Sequence, residues 1–332
     1  MLATGHGGII GLDAWKDPIN ELKFCLIETI RPDEMKGNIM ARYEVITKSD
    51  FVAQSWRRYS SFAFAATDAV APLVVQELAK ACMSLPIAFL QQNDAYAPHA
   101  VQGLEPGLNL FVVNGTWISP YIPAVYRAYP FALAQGGGDG MHLCVDMDNG
   151  LVGAGDEFDQ QFFDDTGEAA KPVKDALNFL QQIHNNRAVT QRVCAALAAE
   201  DLFQPWPLKV QGPEGERNID GLFRIDEARL NSLDPDALHR VQKAGGLPVA
   251  YCQLLSMSNI QTLGLIQRKL DEVRNRMPEM TDQIDVDGIL QRHKSSEPEQ
   301  TLETVANDDV VNIAADSGDF DLSAFVKPKQ ND

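Results

Sequence analysis

Between residues 70 and 150 the chain is cut into short pieces by residues that dictate backbone direction. Val74, Leu78, Ala81 and Leu85 recur at helical spacing within Val70 to Leu85, with Pro72 in the first turn. Pro86 ends that helix, because proline has no N–H to donate and its ring crowds the preceding turn. Asn114-Gly115 and Asn149-Gly150 are two-residue turn signals, since both residue types accept positive φ. Pro130 stops the short helix or helical turn in SPYIPAVYRAY. The pieces left between, IAFL, NLFVV, FALAQ and MHLCVDMD, are short and apolar or alternating, which predicts strands.

The second half reads as helical. Lys171 to His184 and Thr190 to Glu200 each carry one apolar face, and Ser258 to Met277 carries another with a charged outer side. LKVQGPEGERNIDGLFRID reads as a strand, a Gly-rich turn and a strand. Asp234 is placed to cap the helix over Pro235 to Ala244, and Gly245-Gly246 to close it. These elements predict an α+β fold: a single domain over residues 42–280, with a mostly antiparallel or mixed sheet packed by helices.

Residues 1–41 read as a poorly ordered leader, and either Met1 or Met40 serves as a start. Residues 281–332 read as an acidic, largely disordered tail. From Glu297 onward nine acids face two lysines, and so polar a segment buries too little apolar surface to offset its ordering entropy. Within it DFDLSAFV is an apolar island. Phe320, Leu322 and Phe325 are its candidate docking residues for a protein partner.

Charge narrows the function classes. A net charge of −18 over 332 residues argues against nucleic acid, whose phosphates need clustered lysine and arginine, and against an anionic membrane. No run approaches the roughly 20 apolar residues that span a bilayer. The start lacks a basic, apolar signal segment, so a cytoplasmic location is expected, with export that leaves no signal still open. The five cysteines are scattered and never in C-x-x-C, as expected of buried reduced thiols.

The densest chemistry lies in NLFVVNGTWISPYIPAVYRAYPFAL, where one Trp, three Tyr and two Phe surround a single charge, Arg127. A guanidinium offers a planar fork for a carboxylate or phosphate and stacks on aromatic faces. Trp117, Tyr121, Tyr126, Arg127 and Tyr129 are therefore the candidate ligand-binding residues. The competing reading is a packing motif in which Arg127 pairs with an internal acid such as Asp146 or Asp226. His142, Cys144, Asp146 and Asp148 alternate along one strand face, but four in a row span too far for one metal ion. The Gly clusters lack the Lys-Ser/Thr and strand-to-helix context of phosphate loops. No metal or cofactor is expected, and no catalytic residue is assigned.

Several blocks together carry a resemblance: WRRYSSFAFAATDAVAPLVVQELAKACMSLPIAFL, GLNLFVVNGTWISPYIPAVYRAYPFAL, FFDDTGEAAKPVKDALNFLQQI, NIDGLFRIDEARLNSLDPDAL and AGGLPVAYCQLLSMSNIQTL. Over about residues 42–275 the chain resembles the bacterial SapC family. The resemblance implies a link to bacterial surface layers, and genes of the family tend to lie near TonB-dependent receptors and halogenase-like flavoproteins. It implies a non-catalytic binding or accessory protein in surface-layer or envelope transport processes, with an envelope or uptake component as partner. An enzyme acting on a peptide or small acidic metabolite is the alternative. Gln253 stands where relatives often carry histidine.

Overall fold

The computed structural model describes residues 42–135, 141–212 and 215–276. The leader, the acidic tail and the docking residues Phe320, Leu322 and Phe325 lie outside the described residues. The described chain combines helices with antiparallel sheets, the α+β class expected, and it divides into two compact units.

The first unit takes residues up to Tyr59 and Ala128 to Gln182. Met141–Asp146 is the central strand of three, between Tyr43–Val45 and Phe131–Gln135, and both pairings are antiparallel. The Asn149-Gly150 turn does not fold the chain back onto that strand. It leads to Val152–Gly153, which pairs with Ser55–Trp56 in a second small sheet. Phe51, Trp56, Phe131, Val145, Phe162 and Val173 form the apolar core. Edge-to-face ring pairs, Trp56 with Phe131 at 4.7 Å and Phe51 with Phe162 at 4.9 Å, set its packing.

The second unit takes Ser60 to Arg127 and the chain from Ile183 on. Its five-stranded antiparallel sheet runs in the order Phe203–Pro205, Leu222–Ile225, Ile87–Gln92, Ala95–Val101, Val70–Pro72. The central hairpin turns at Asn93-Asp94, both at positive φ, the backbone a two-residue hairpin loop demands. Val70–Pro72 is itself a strand, so the helix expected around Pro72 begins later, at Val75–Ala81. Proline is tolerated here because Val70–Pro72 lies at the edge of the sheet.

Helix Lys171–Ala199 is continuous across a polar run that suggests two helices. Asn186 turns inward to bond Gln76, while His184 and Asn185 stay exposed. Helix Pro235–Lys243 starts where expected: the Asp234 carboxylate accepts from the Ala237 amide at 2.8 Å, and Gly245 follows in the left-handed region. Helix Gly246–Ser256 packs on the sheet and on Val75–Ala81. Gln253, fully buried on it, accepts from the Ile225 amide at 2.9 Å and donates to the Ile87 carbonyl at 3.1 Å. Ser256 Oγ accepts from the Ile87 amide at 3.0 Å. Two polar side chains on one helix thus satisfy backbone groups of two strands.

Candidate functional site

The aromatic segment begins with a tight hairpin. Val112–Val113 pairs with Thr116–Trp117 across Asn114-Gly115, whose φ values of 50 and 75 are those of the turn expected from the sequence. The Gly115 carbonyl accepts from the Phe62 amide at 2.7 Å, and a Cβ on Gly115 would stand 2.3 Å from Ser61 Oγ. Glycine is favoured there by its positive φ, and a larger residue would have to displace the Ser61 hydroxyl. The turn delivers Trp117 among Phe62, Phe111 and Tyr126, with ring centroids between 5.6 and 5.8 Å. The Trp117 indole N–H donates to the Tyr121 carbonyl at 3.0 Å.

Past Pro123 the chain turns once as Ala124–Arg127. The anchor of that turn is Glu77, an acid the sequence offers only as a first-turn residue of helix Val75–Ala81. Its side chain is buried to 6% exposure. Glu77 Oε1 accepts from the Tyr121 hydroxyl at 2.8 Å and from the Ala124 amide at 2.6 Å. Oε2 accepts from the Val74 amide at 3.1 Å, which serves an otherwise orphan donor at the helix start. The Val75 amide donates to Thr190 Oγ1 at 3.0 Å.

Arg127 lies at the end of the turn. Its Nη2 stands 3.9 Å from Glu77 Oε1 and 3.4 Å from the Tyr121 hydroxyl, and the guanidinium carbon lies 5.8 Å from the Tyr121 ring centroid. The arginine side chain keeps 43% of its surface exposed. An internal acid does meet Arg127, and it is Glu77. Asp146 accepts from the Tyr129 hydroxyl at 2.8 Å, and Asp226 caps a helix through the Arg229 amide at 2.9 Å.

Burial pushes the Glu77 carboxyl above its ordinary range, against the pull of the Ala124 and Val74 amides, the Tyr121 hydroxyl and the Arg127 charge. Burial also raises the Tyr121 phenol, and the Glu77 charge adds to it. The phenol therefore stays protonated and donates, which fits its bond to Glu77.

The five candidate residues separate into groups. Trp117 and Tyr126 bury their rings, at 9% and 5% exposure. The Tyr126 hydroxyl, with one proton to donate, has two acceptors in reach, Gln102 Oε1 at 2.8 Å and Asp68 Oδ2 at 3.1 Å. Tyr121 is half-buried and Arg127 exposed, and these two form the outer face. Tyr129 belongs to the first unit, where its partners are Asp146 and the Tyr59 ring. Of the alternating strand residues, His142 is exposed while Cys144 and Asp146 are buried. Among the described residues no group of three or more His, Cys, Asp or Glu stands together to hold a metal ion. Among them, too, no helix is long and apolar enough to cross a membrane.

The family model described as SapC matches residues 46–263, well over half of the chain. No curated protein and no solved structure matches.

Proposed function

We propose, since the chain belongs to the SapC family, that it is a non-catalytic binding or accessory protein of bacterial surface-layer or envelope transport processes. In this reading Arg127 and Tyr121 take a carboxylate-bearing ligand, a peptide or a small acid. One observation carries it: the acid of the pair is buried and the cation is not, at 6% against 43% exposure. Glu77 fixes the turn that presents Arg127, yet it stands 3.9 Å away, a long contact that a ligand carboxylate in bidentate geometry can outcompete. Trp117 and Tyr126 brace the turn from behind.

The test is calorimetric titration of the full chain with small monocarboxylates and acetylated dipeptides, repeated on Arg127→Ala. The expected result is saturable binding that Arg127→Ala weakens at least tenfold, with its unfolding midpoint kept. Unchanged binding together with a lowered midpoint makes Arg127 a packing residue and overturns the reading.

A second reading, an enzyme acting on a peptide or small acidic metabolite, draws on Glu77. A carboxyl raised by burial beside a tyrosine hydroxyl has the profile of a general acid or base. Turnover of an acetylated dipeptide that Glu77→Gln abolishes while binding persists would favour it. The tail segment around Phe320, Leu322 and Phe325 is proposed as a separate docking peptide. Truncation after residue 296 should then abolish capture of an envelope partner and leave the domain's unfolding midpoint unchanged. Retained capture would remove the proposal.

A further inference from the structure

The Tyr121 hydroxyl stands between the buried acid and the exposed cation: its oxygen is 2.8 Å from Glu77 Oε1 and 3.4 Å from Arg127 Nη2. A phenol has one proton to give, and here it goes to Glu77. Glu77 Oε1 also accepts from the Ala124 amide at 2.6 Å, and Oε2 from the Val74 amide at 3.1 Å. Backbone amides are fixed donors, whereas a phenol hydroxyl turns to suit its partners. A carboxylate seated on Arg127 beside Tyr121 brings a second acceptor to the same phenol. One proton then serves two anionic acceptors, and Glu77, at 6% exposure, has no water to turn to. The count closes when Glu77 gains a proton. Glu77 Oε1–H donates to the Tyr121 oxygen, the Tyr121 hydroxyl turns to the ligand, and the Ala124 and Val74 amides keep their acceptors.

We propose, resting on the carboxylate reading of this site, that it takes its ligand together with one proton from solvent: Tyr121 passes its hydrogen bond from Glu77 to the ligand, and Glu77 takes up the proton. Charge balances. In the free chain the Arg127 cation faces the Glu77 anion; in the complex it faces the ligand anion, and Glu77 is neutral. The cation exchanges one counterion for another, and no charge is left buried without a partner.

The surroundings of Glu77 favour the exchange. Burial already lifts its carboxyl, with the Arg127 charge among the groups that hold it down. A ligand carboxylate on Arg127 offsets that charge and so lifts Glu77 further. Lys80, one turn on in the same helix, is exposed. Helix Gly246–Ser256, which packs against that helix, carries no charged residue; its titratable groups are the exposed Tyr251 and the half-buried Cys252. Helix Lys171–Ala199 faces it with neutral groups, the Thr190 hydroxyl on the Val75 amide and the Asn186 amide on Gln76. Because a proton enters with each ligand, affinity falls as pH rises, by up to about tenfold per unit, between the Glu77 pKa of the free chain and that of the complex. Small carboxylates are almost wholly ionised above about pH 5.5 and contribute little to that slope.

The experiment titrates the full chain with small monocarboxylates and acetylated dipeptides from about pH 5.5 to about pH 9, in paired buffers of different ionisation enthalpy. The buffer-dependent heat counts the protons taken up. The expected result is uptake approaching one proton per ligand within that range, with affinity falling by up to about tenfold per pH unit at the same pH. With a ligand carrying carbon-13 at its carboxylate, the bound-minus-free infrared spectrum should gain a protonated-carboxyl band that does not move with the label. Glu77→Gln should remove both the uptake and the band. Saturable binding with no proton uptake at any pH overturns the proposal and leaves the carboxylate reading standing, whereas no saturable binding at any pH overturns both. Uptake that survives in Glu77→Gln places the proton elsewhere and overturns the proposal. If that variant fails to fold, the unmutated chain decides: a label-independent band supports Glu77 as the acceptor, and its absence overturns it.

Discussion

The Tyr121 hydroxyl donates to Glu77 Oε1 at 2.8 Å across 44 positions of sequence. With the Ala124 amide on the same oxygen, this contact closes the aromatic segment onto the helix beneath it.

Glu77→Gln should expose how much that closure contributes. The new amide puts an N–H against at least one existing donor, so a buried polar group loses its partner. The expected cost is about 1–3 kcal/mol. Glu77→Ala removes all three acceptor contacts and should cost about 3 kcal/mol or more. Tyr121→Phe should cost about 1 kcal/mol. Urea unfolding midpoints measure all three, and equal midpoints across the series would show the closure to be incidental.

His99 gives the stability a pH dependence of known sign. It lies in strand Ala95–Val101, fully buried, and burial lowers its pKa from 6.5 to about 4, with the Ala97 carbonyl opposing. The unfolded chain therefore binds a proton between pH 6.5 and 4 that the folded chain refuses. Stability should fall with acidification across that window, by roughly 1.4 kcal/mol per pH unit from this group. Glu77 works against it, because a carboxyl raised on folding stabilises at low pH and loses that contribution as pH rises through its folded value. Midpoints of the native chain and of His99→Gln, compared from pH 4.5 to 7, isolate the histidine: the variant should lose that slope. Parallel slopes would assign the dependence to other groups.

Which parts of this architecture are legible in the sequence follows from how local their causes are. The Asn114-Gly115 turn and the Asp234 cap depend on two to four adjacent residues, and both stand where the letters place them. The Met141–Asp146 strand is legible as well, but its neighbours are not. Tyr43–Val45 pairs with it from about a hundred residues upstream, and alternation carries no partner's address. The same holds for the main sheet, which sets Leu222–Ile225 beside Ile87–Gln92. Arg127 and Tyr121 are visible as an unusual pairing of residue types. Glu77 is not, because an acid in the first turn of a helix ordinarily faces water. Only the turn packed over it shows that this one is enclosed.

Gln253 supplies one donor and one acceptor to two different strands, and a neutral imidazole has the same complement. Gln253→His should therefore be tolerated near pH 8 at a cost of about 1 kcal/mol, and lose stability on acidification as the ring gives up its acceptor. Gln253→Leu leaves the Ile225 amide and the Ile87 carbonyl without this partner and should cost about 2–4 kcal/mol. Thermal melts at pH 8 and pH 5.5 check both. A histidine variant as damaged as leucine at pH 8 would show that shape, rather than hydrogen bonding, governs the position.

The most direct measurement concerns Arg127 itself. The arginine Nε–Hε resonance, assigned by its loss in Arg127→Lys, is followed by NMR while small monocarboxylates and acetylated dipeptides are added to the full chain. The expected result is a saturable shift of that resonance with at least one carboxylate, and none with the matching amide. A ligand that binds by calorimetry yet leaves the Arg127 resonance unmoved would contradict the assignment of this cation to recognition.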